Sequence, residues 1–502
     1  MARSRYLLCL FHLLLIALPA LRAQNPGESL DAMVRKGMAD WKIPGMVTAV
    51  VQDGEVVFSN AYGVSNLRSE AAVDRQTLFN MGSTTKAVVC MALGILVDRG
   101  QLQWEDKVYR HLPEFQLSDP YIREEARIKD LLTHNLGISQ ADLIWFADST
   151  STTEALARFA RAEKAYPTRG GYQYNNLMYA VAGEVVHAVS GKHWTRFVQD
   201  EIFAPLEMDR TVAMAREVQS AGNCATPYYK DLDGSIHPVP LNQSDQIGAA
   251  GMIYTCLEDV EHYLQMLTSN GAYKGKQLLS RQTFDYLFKP HAFVPERDFY
   301  PTRQLTAPQW HTYGLGWFQH DYRGQKLDFH TGSITGLVAI AGVMHHAKTA
   351  VYVMANLDHA ELRHAILYKA MDLWAFQDDS RDWNSEIQNL YGWVRIQAQE
   401  QDRKIQEARL PDTRTTLPLT AYAGRYTHPM LGTLEVRPDG EGLLLDFNGY
   451  ARFQATHWHY DTFRTTPENR YRMKQFAQFL MDPQGQVRAV EFLGETLERK
   501  PD

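Results

Sequence analysis

The residues with the clearest chemical potential are Ser83 and Lys86, three apart in Phe79-Asn-Met-Gly-Ser-Thr-Thr-Lys86, at the start of an apolar stretch. Positions i and i+3 share a helix face, so the spacing brings the Lys86 amine to the Ser83 hydroxyl. A serine hydroxyl is a weak nucleophile until a base takes its proton, and a lysine can be that base once burial or a nearby cation lowers its pKa. At a helix start the Ser83 N–H is also free to face a developing oxyanion. Alone, the pair reads better as a helix-capping serine with a solvated lysine.

Two further elements follow in order. Tyr174-Asn175-Asn176 stands just before a helical stretch. A tyrosinate beside lysine can accept the serine proton and return it to a leaving group, and Asn176 can hold both the lysine and a substrate carbonyl or amide. His330-Thr331-Gly332-Ser333 closes a strand-like run and is followed by Gly336. A glycine at a strand edge lets a substrate backbone lie close, and the Ser333 N–H supplies a second oxyanion donor.

These elements need a scaffold, and the chain has the length for one. With 502 residues, 45% of them hydrophobic and 22% charged, it is an ordinary globular protein, and disorder, collagen and coiled coil are excluded. At about 150 residues per domain the length suits three domains, or one large domain with a small appendage. The net charge of −7 and the lack of a basic run argue against nucleic acid as a partner. Arg3, Arg5 and the apolar residues 7–18 have a signal-peptide layout, with cleavage expected after Ala23 and an uncleaved anchor as the rival. Cleavage removes three arginines and lowers the net charge to −10. It implies a secreted or periplasmic protein, and no later apolar run is long enough to span a membrane.

Residues 45–58 read as a hairpin about Asp53-Gly54. Helical stretches follow at residues 84–98, around 131–137 and at 176–189, closed by Gly100, Gly137 and Gly191. Strands return between residues 313 and 356. This order predicts an α+β fold, an antiparallel sheet flanked by helices. Residues 382–406 read as a polar helical linker, and six or more short alternating segments beyond it predict a small antiparallel β-barrel. Of the cysteines past the signal, Cys90 reads as core, which leaves Cys224 and Cys256 as the two able to pair. No CxxC or HExxH spacing is present, and His457 and His459 flank Trp458 in a strand, so neither a metal nor an organic cofactor is expected.

The trio Ser83-x-x-Lys86, Tyr174-x-Asn176 and His330-x-Gly332 resembles the serine β-lactamase and penicillin-binding-protein superfamily, in its class C-like branch of esterases, D-aminopeptidases and β-lactamase-related proteins. Leu131-Leu-Thr-His-Asn-Leu-Gly137, Gly248-Ala-Ala-Gly-Met-Ile-Tyr254, Tyr313-Gly-Leu-Gly-Trp317 and Met354-Ala-Asn356 extend the likeness over residues 28–375. The resemblance implies that Ser83 is acylated, with Lys86 and Tyr174 sharing base and acid work. It implies that Asn176 orients Lys86 and substrate, and that the N–H groups of Ser83 and Ser333 form the oxyanion hole. His330, with Thr331 and Gly332 on the substrate-facing strand, stands where β-lactamases usually carry lysine. A histidine is mostly neutral near pH 7, so ester or peptide hydrolysis, D-amino-acid peptides included, ranks above β-lactam hydrolysis. β-Lactamase or D,D-peptidase activity and a non-catalytic penicillin-recognising protein are the alternatives; an α/β-hydrolase would need a G-x-S-x-G elbow, which is missing. After a linker at 376–412, residues 413–502 resemble the lipocalin-like barrel of some members, through Tyr422-x-Gly424-x-Tyr426 and His457-Trp-His-Tyr-Asp-Thr-Phe463. In relatives that barrel packs near the catalytic mouth or mediates assembly, so a homo-oligomer is open.

Overall fold

The computed structural model describes residues 25–146, 148–469 and 474–501, and the expected signal segment lies outside them. Its largest element is a nine-stranded, wholly antiparallel sheet. The hairpin Gly45–Gln52 and Glu55–Asn66 forms as read, with Asp53 (φ 51°) and Gly54 (φ 81°) supplying the positive dihedrals of a tight primed turn. Beside it, in sheet order, lie Thr349–Ala355, Leu337–Met344, Gln325–Ile334 and Phe318–Tyr322. The first and last segments of the chain's α+β portion are therefore neighbours in the sheet.

The central strands are apolar at nearly every position because the sheet is covered on both faces. Val47, Ala49 and Val51 point into one core, with Ala339, Ala341 and Val343. Met46 and Val50 point into the other, with Val338, Ile340 and Met344. The second core is closed by helices Pro26–Trp41 and Leu362–Ala370. The first holds helices Thr85–Asp98, Asn176–Ser190 and Leu257–Thr268. Every residue of the first helix from Thr85 to Leu96 is buried, so its lysine is carried into the core with the rest.

The linker helix, Trp383–Glu407, is anchored at its start and solvated further on. Trp383 is fully buried, its indole N–H donating to Asp372 at 2.7 Å and its ring stacked on Tyr368. The C-terminal segment forms a closed eight-stranded antiparallel barrel, from Gly424–His428 round to Glu495–Arg499. Tyr426, Leu434, Phe447, Phe453, Phe463, Phe479 and Phe492 fill its core. Closure removes the free edges that such short strands would otherwise expose. Cys90, Cys224 and Cys256 are free thiols. No helix among the described residues is long and apolar enough to cross a membrane.

Two glycines let the serine-bearing turn touch the sheet. A Cβ on Gly332 would collide with the Met81 carbonyl oxygen, and one on Gly82 (φ 51°) would sit 2.6 Å from the Ser333 nitrogen. Both obstacles are backbone, so neither can swing away. Gly332→Ala is therefore expected to lower the melting temperature, by a destabilisation of about 2 kcal/mol, and to separate Ser83 from the strand. A thermal melt matching the wild type would contradict this account of the contact.

Candidate active site

Ser83 sits in the single turn Gly82–Thr84 that leads into helix Thr85–Asp98. One turn on, the Lys86 side chain has no solvent exposure, and its Nζ lies 3.1 Å from Ser83 Oγ. The amine donates to Asn176 Oδ1 at 2.8 Å and to the Ala250 carbonyl at 2.9 Å. A neutral amine has two hydrogens and one lone pair. With both hydrogens committed to carbonyl oxygens, the lone pair is left for Ser83. Burial pushes the Lys86 pKa down to about 7, against the opposing pull of the Asp142 carboxylate.

Tyr174 and Asn176 reach this point through a helix start. The cap of helix Asn176–Ser190 is Asn175, whose Oδ1 accepts from the N–H groups of Leu177 (3.0 Å) and Met178 (3.3 Å). Asn176 is thereby free of capping and turns its amide to Lys86. The Tyr174 hydroxyl is buried and makes no regular hydrogen bond; burial raises its pKa well above the usual range, with Ser83 close enough to oppose the rise. The phenol is therefore protonated, not the tyrosinate expected from the sequence, because burial disfavours the anion; its ring centre lies 4.8 Å from Lys86 Nζ.

The segment is held in place by His134, a residue in the left-handed region (φ 58°). Its carbonyl accepts from the Gln173 N–H and the Tyr166 hydroxyl, both at 2.8 Å, and its Nδ1 from the Asn175 N–H at 3.1 Å. Its ring centre lies 4.2 Å from that of Tyr174.

The third element is an exposed strand edge. Strands Gln325–Ile334 and Leu337–Met344 are joined by a two-residue turn, which makes Ile334 and Leu337 a hydrogen-bonded pair. By alternation Thr331 and Ser333 point their backbone groups the other way. On that side the neighbouring strand has already ended, at Phe318 opposite Phe329. The Ser333 N–H therefore faces the cleft beside Ser83. Gly332 lies between them, its carbonyl accepting from Arg363 at 2.6 Å; the same guanidinium nitrogen donates to Ser333 Oγ at 2.9 Å. Thr331 Oγ1 is 2.7 Å from the Tyr300 hydroxyl.

His330 is buried. A carbonyl can only accept, so the 2.6 Å contact with the Thr331 oxygen places the proton on Nδ1, and Nε2 accepts from the Tyr313 hydroxyl at 2.9 Å. Burial, with Lys86 adding to it, pushes the His330 pKa down to about 3. The imidazole is neutral at physiological pH.

A cleft of about 620 Å³ opens over these groups, lined by Ser83, Tyr174, His330, Thr331 and Ser333 from the expected set. Lys86 and Gly332 are buried beside it, and Asn176 is half-buried. Tyr166, Tyr172, Tyr300 and Phe318 add aromatic wall, and Gln140, Gln173, Arg297 and Asp298 add polar and charged groups. Sequence reading did not find Asp142, His134, Tyr300 or Arg363, nor the Ala250 carbonyl. His134 and Ala250 fall in segments quoted for the resemblance, but neither a positive φ nor a backbone acceptor can be read from residue type. Asp142 and Arg363 gave no signal at all.

Two family models match the chain: the β-lactamase family over residues 30–373, and a domain of unknown function, DUF3471, over residues 408–500. The unguisins hydrolase ungD′ of Aspergillus campestris is 27% identical over 446 residues, covering 84% of this chain and 81% of its own. Protein flp of Staphylococcus aureus is 24% identical over 339 residues, covering 66% of this chain and 63% of its own. Among solved structures, the octameric penicillin-binding protein homologue from Pyrococcus abyssi superposes with a TM-score of 0.60 at 21% identity, over 94% of this chain and 99% of that one. SurE does so with a TM-score of 0.57 at 18% identity, over 95% and 99%. At such identities the structures speak for the fold. The match over residues 30–373 covers most of the chain, and the protein belongs to the β-lactamase family.

Proposed function

We propose that the protein is a serine hydrolase that acylates Ser83 and hydrolyses small esters or amides, peptides included. The observation that carries this reading is the Lys86 amine, desolvated and with both hydrogens directed at carbonyl oxygens, next to the Ser83 hydroxyl. Lys86 takes the Ser83 proton as Oγ bonds to the acyl carbon. The carbonyl π pair moves onto oxygen, where the N–H groups of Ser83 and Ser333 hold it. As the bond to the leaving group breaks, Tyr174 gives it a proton and regains one from the Lys86 ammonium. Water then repeats the sequence in reverse and frees Ser83.

The aromatic groups of the cleft favour esters and peptides with apolar side chains, and the neutral His330 leaves a β-lactam carboxylate without a cation at that strand position. D-Amino-acid peptides belong to this class. The name of the unguisins hydrolase relatives supports hydrolysis as the reaction. The same reading includes export through residues 1–23, a catalytic unit at 28–375, a linker at 376–412 and a lipocalin-like barrel at 413–502.

A fluorophosphonate is expected to label Ser83, with the adduct located by mass spectrometry. Ser83→Ala should lose about a thousandfold or more of p-nitrophenyl ester turnover. Full turnover in that variant, or nitrocefin hydrolysed far faster than esters and D-aminoacyl amides, would overturn the assignment.

The pH dependence has a definite sign. Lys86 acts only when neutral, and its pKa is lowered to about 7, so kcat/KM should rise with pH and level off above a midpoint near 7. A midpoint near the ordinary lysine value would mean that burial does not lower the Lys86 pKa and would overturn this account of the base.

A further inference from the structure

Asn176 can assist Lys86 only if its amide faces the right way, and a primary amide can be flipped with no change of shape. Its Nδ2 lies 3.2 Å and 3.4 Å from the two carboxylate oxygens of Asp142. A carboxylate only accepts, so Nδ2 must face Asp142 and Oδ1 is turned to Lys86. In the flipped state Oδ1 would meet two carboxylate oxygens, and an N–H would point at an amine whose hydrogens already face outward.

Asp142 is itself fixed. The Trp145 indole N–H donates to Oδ1 at 2.8 Å, and the Gln140 amide donates to Oδ2. The segment is held further along by the buried Gln246 amide, which donates to the carbonyls of Trp145 (3.0 Å) and Asp148 (2.8 Å). We propose that Asp142 is a positioning residue of the hydrolytic site: it sets the amide orientation of Asn176, and through it directs the Lys86 lone pair at Ser83. The proposal rests on the acyl-enzyme reading and adds to it the element that gives the relay its direction.

A second consequence follows from charge. Around the Lys86 amine stand Ser83, Cys90, the rings of Tyr174 and Tyr179, and His134 and His330, both held neutral by burial. Among the described residues Asp142 is the carboxylate that bears on it, favouring the ammonium that forms when Ser83 gives up its proton. Removing that charge lowers the Lys86 pKa. A purely structural role would slow the reaction with no such shift.

The test compares the full-length wild type with D142N and D142E, reading the rate of fluorophosphonate labelling at Ser83 and the pH profile of ester turnover. D142N presents an N–H where only an acceptor stood; it should slow labelling about tenfold or more and lower kcat more than it changes KM. Its acid limb should move to lower pH by about half a unit or more. D142E keeps the anion on a longer arm, so its acid limb should stay at the wild-type position while its rate falls. Wild-type labelling rates in D142N, or slowed labelling with an unmoved limb, would overturn the proposal. If D142N melts below the assay temperature, D142E decides, and labelling by D142E at the wild-type rate overturns it. Failure of the wild type itself to label at Ser83 would overturn the acyl-enzyme reading first.

Discussion

The structure depends on a lysine amine held inside the protein. Lys86 is carried into the core by a helix that is buried on all sides, and desolvation brings its pKa to about 7. A buried ammonium would be costly, and a buried amine without acceptors nearly as poor. Asn176 and the Ala250 carbonyl answer the second problem, and leave a single unshared pair for Ser83. What makes the position hard to solvate is also what makes the group reactive.

The sheet supplies the other half of the site by what it omits. Strand Gln325–Ile334 continues past the end of its neighbour, so Thr331 and Ser333 present backbone groups that no strand satisfies. Such an edge suits an extended substrate backbone. Gly82 and Gly332 let the serine turn approach that edge at backbone distance. His330, next on the strand, is neutral and tied to Tyr313 and its own neighbour's carbonyl, which leaves this strand position without a fixed charge.

The barrel is not an isolated appendage. Arg158, paired with Asp148 at 2.6 Å, lies against Gly432 on the barrel, where a Cβ would approach its guanidinium to 3.1 Å. Asp148 ends the segment that begins near Asp142. At the other side the linker helix meets the barrel through Asp402 and Arg464, 3.6 Å apart, and Arg409 donates to the Trp458 carbonyl at 3.1 Å. These contacts, the Arg158–Asp148 pair largely buried, fix which surfaces meet.

Much of this was legible in the residues. Asp53-Gly54 announces its hairpin because few residues tolerate positive φ, and the β-branched and aromatic runs between residues 313 and 356 announce strands. The spacing of Ser83 and Lys86 follows from helix geometry, and the alternation beyond residue 413 follows from strand geometry. These are local rules, set within a few residues along the chain. The tertiary structure alone decided that Asn175, not Asn176, caps its helix; that His134 braces Tyr174; that Asp142 faces the Asn176 amide; and that Tyr174 and His330 are uncharged. Each depends on groups far apart in sequence, on burial from all sides, or on a backbone atom that every residue type carries, and no pattern of side chains encodes those.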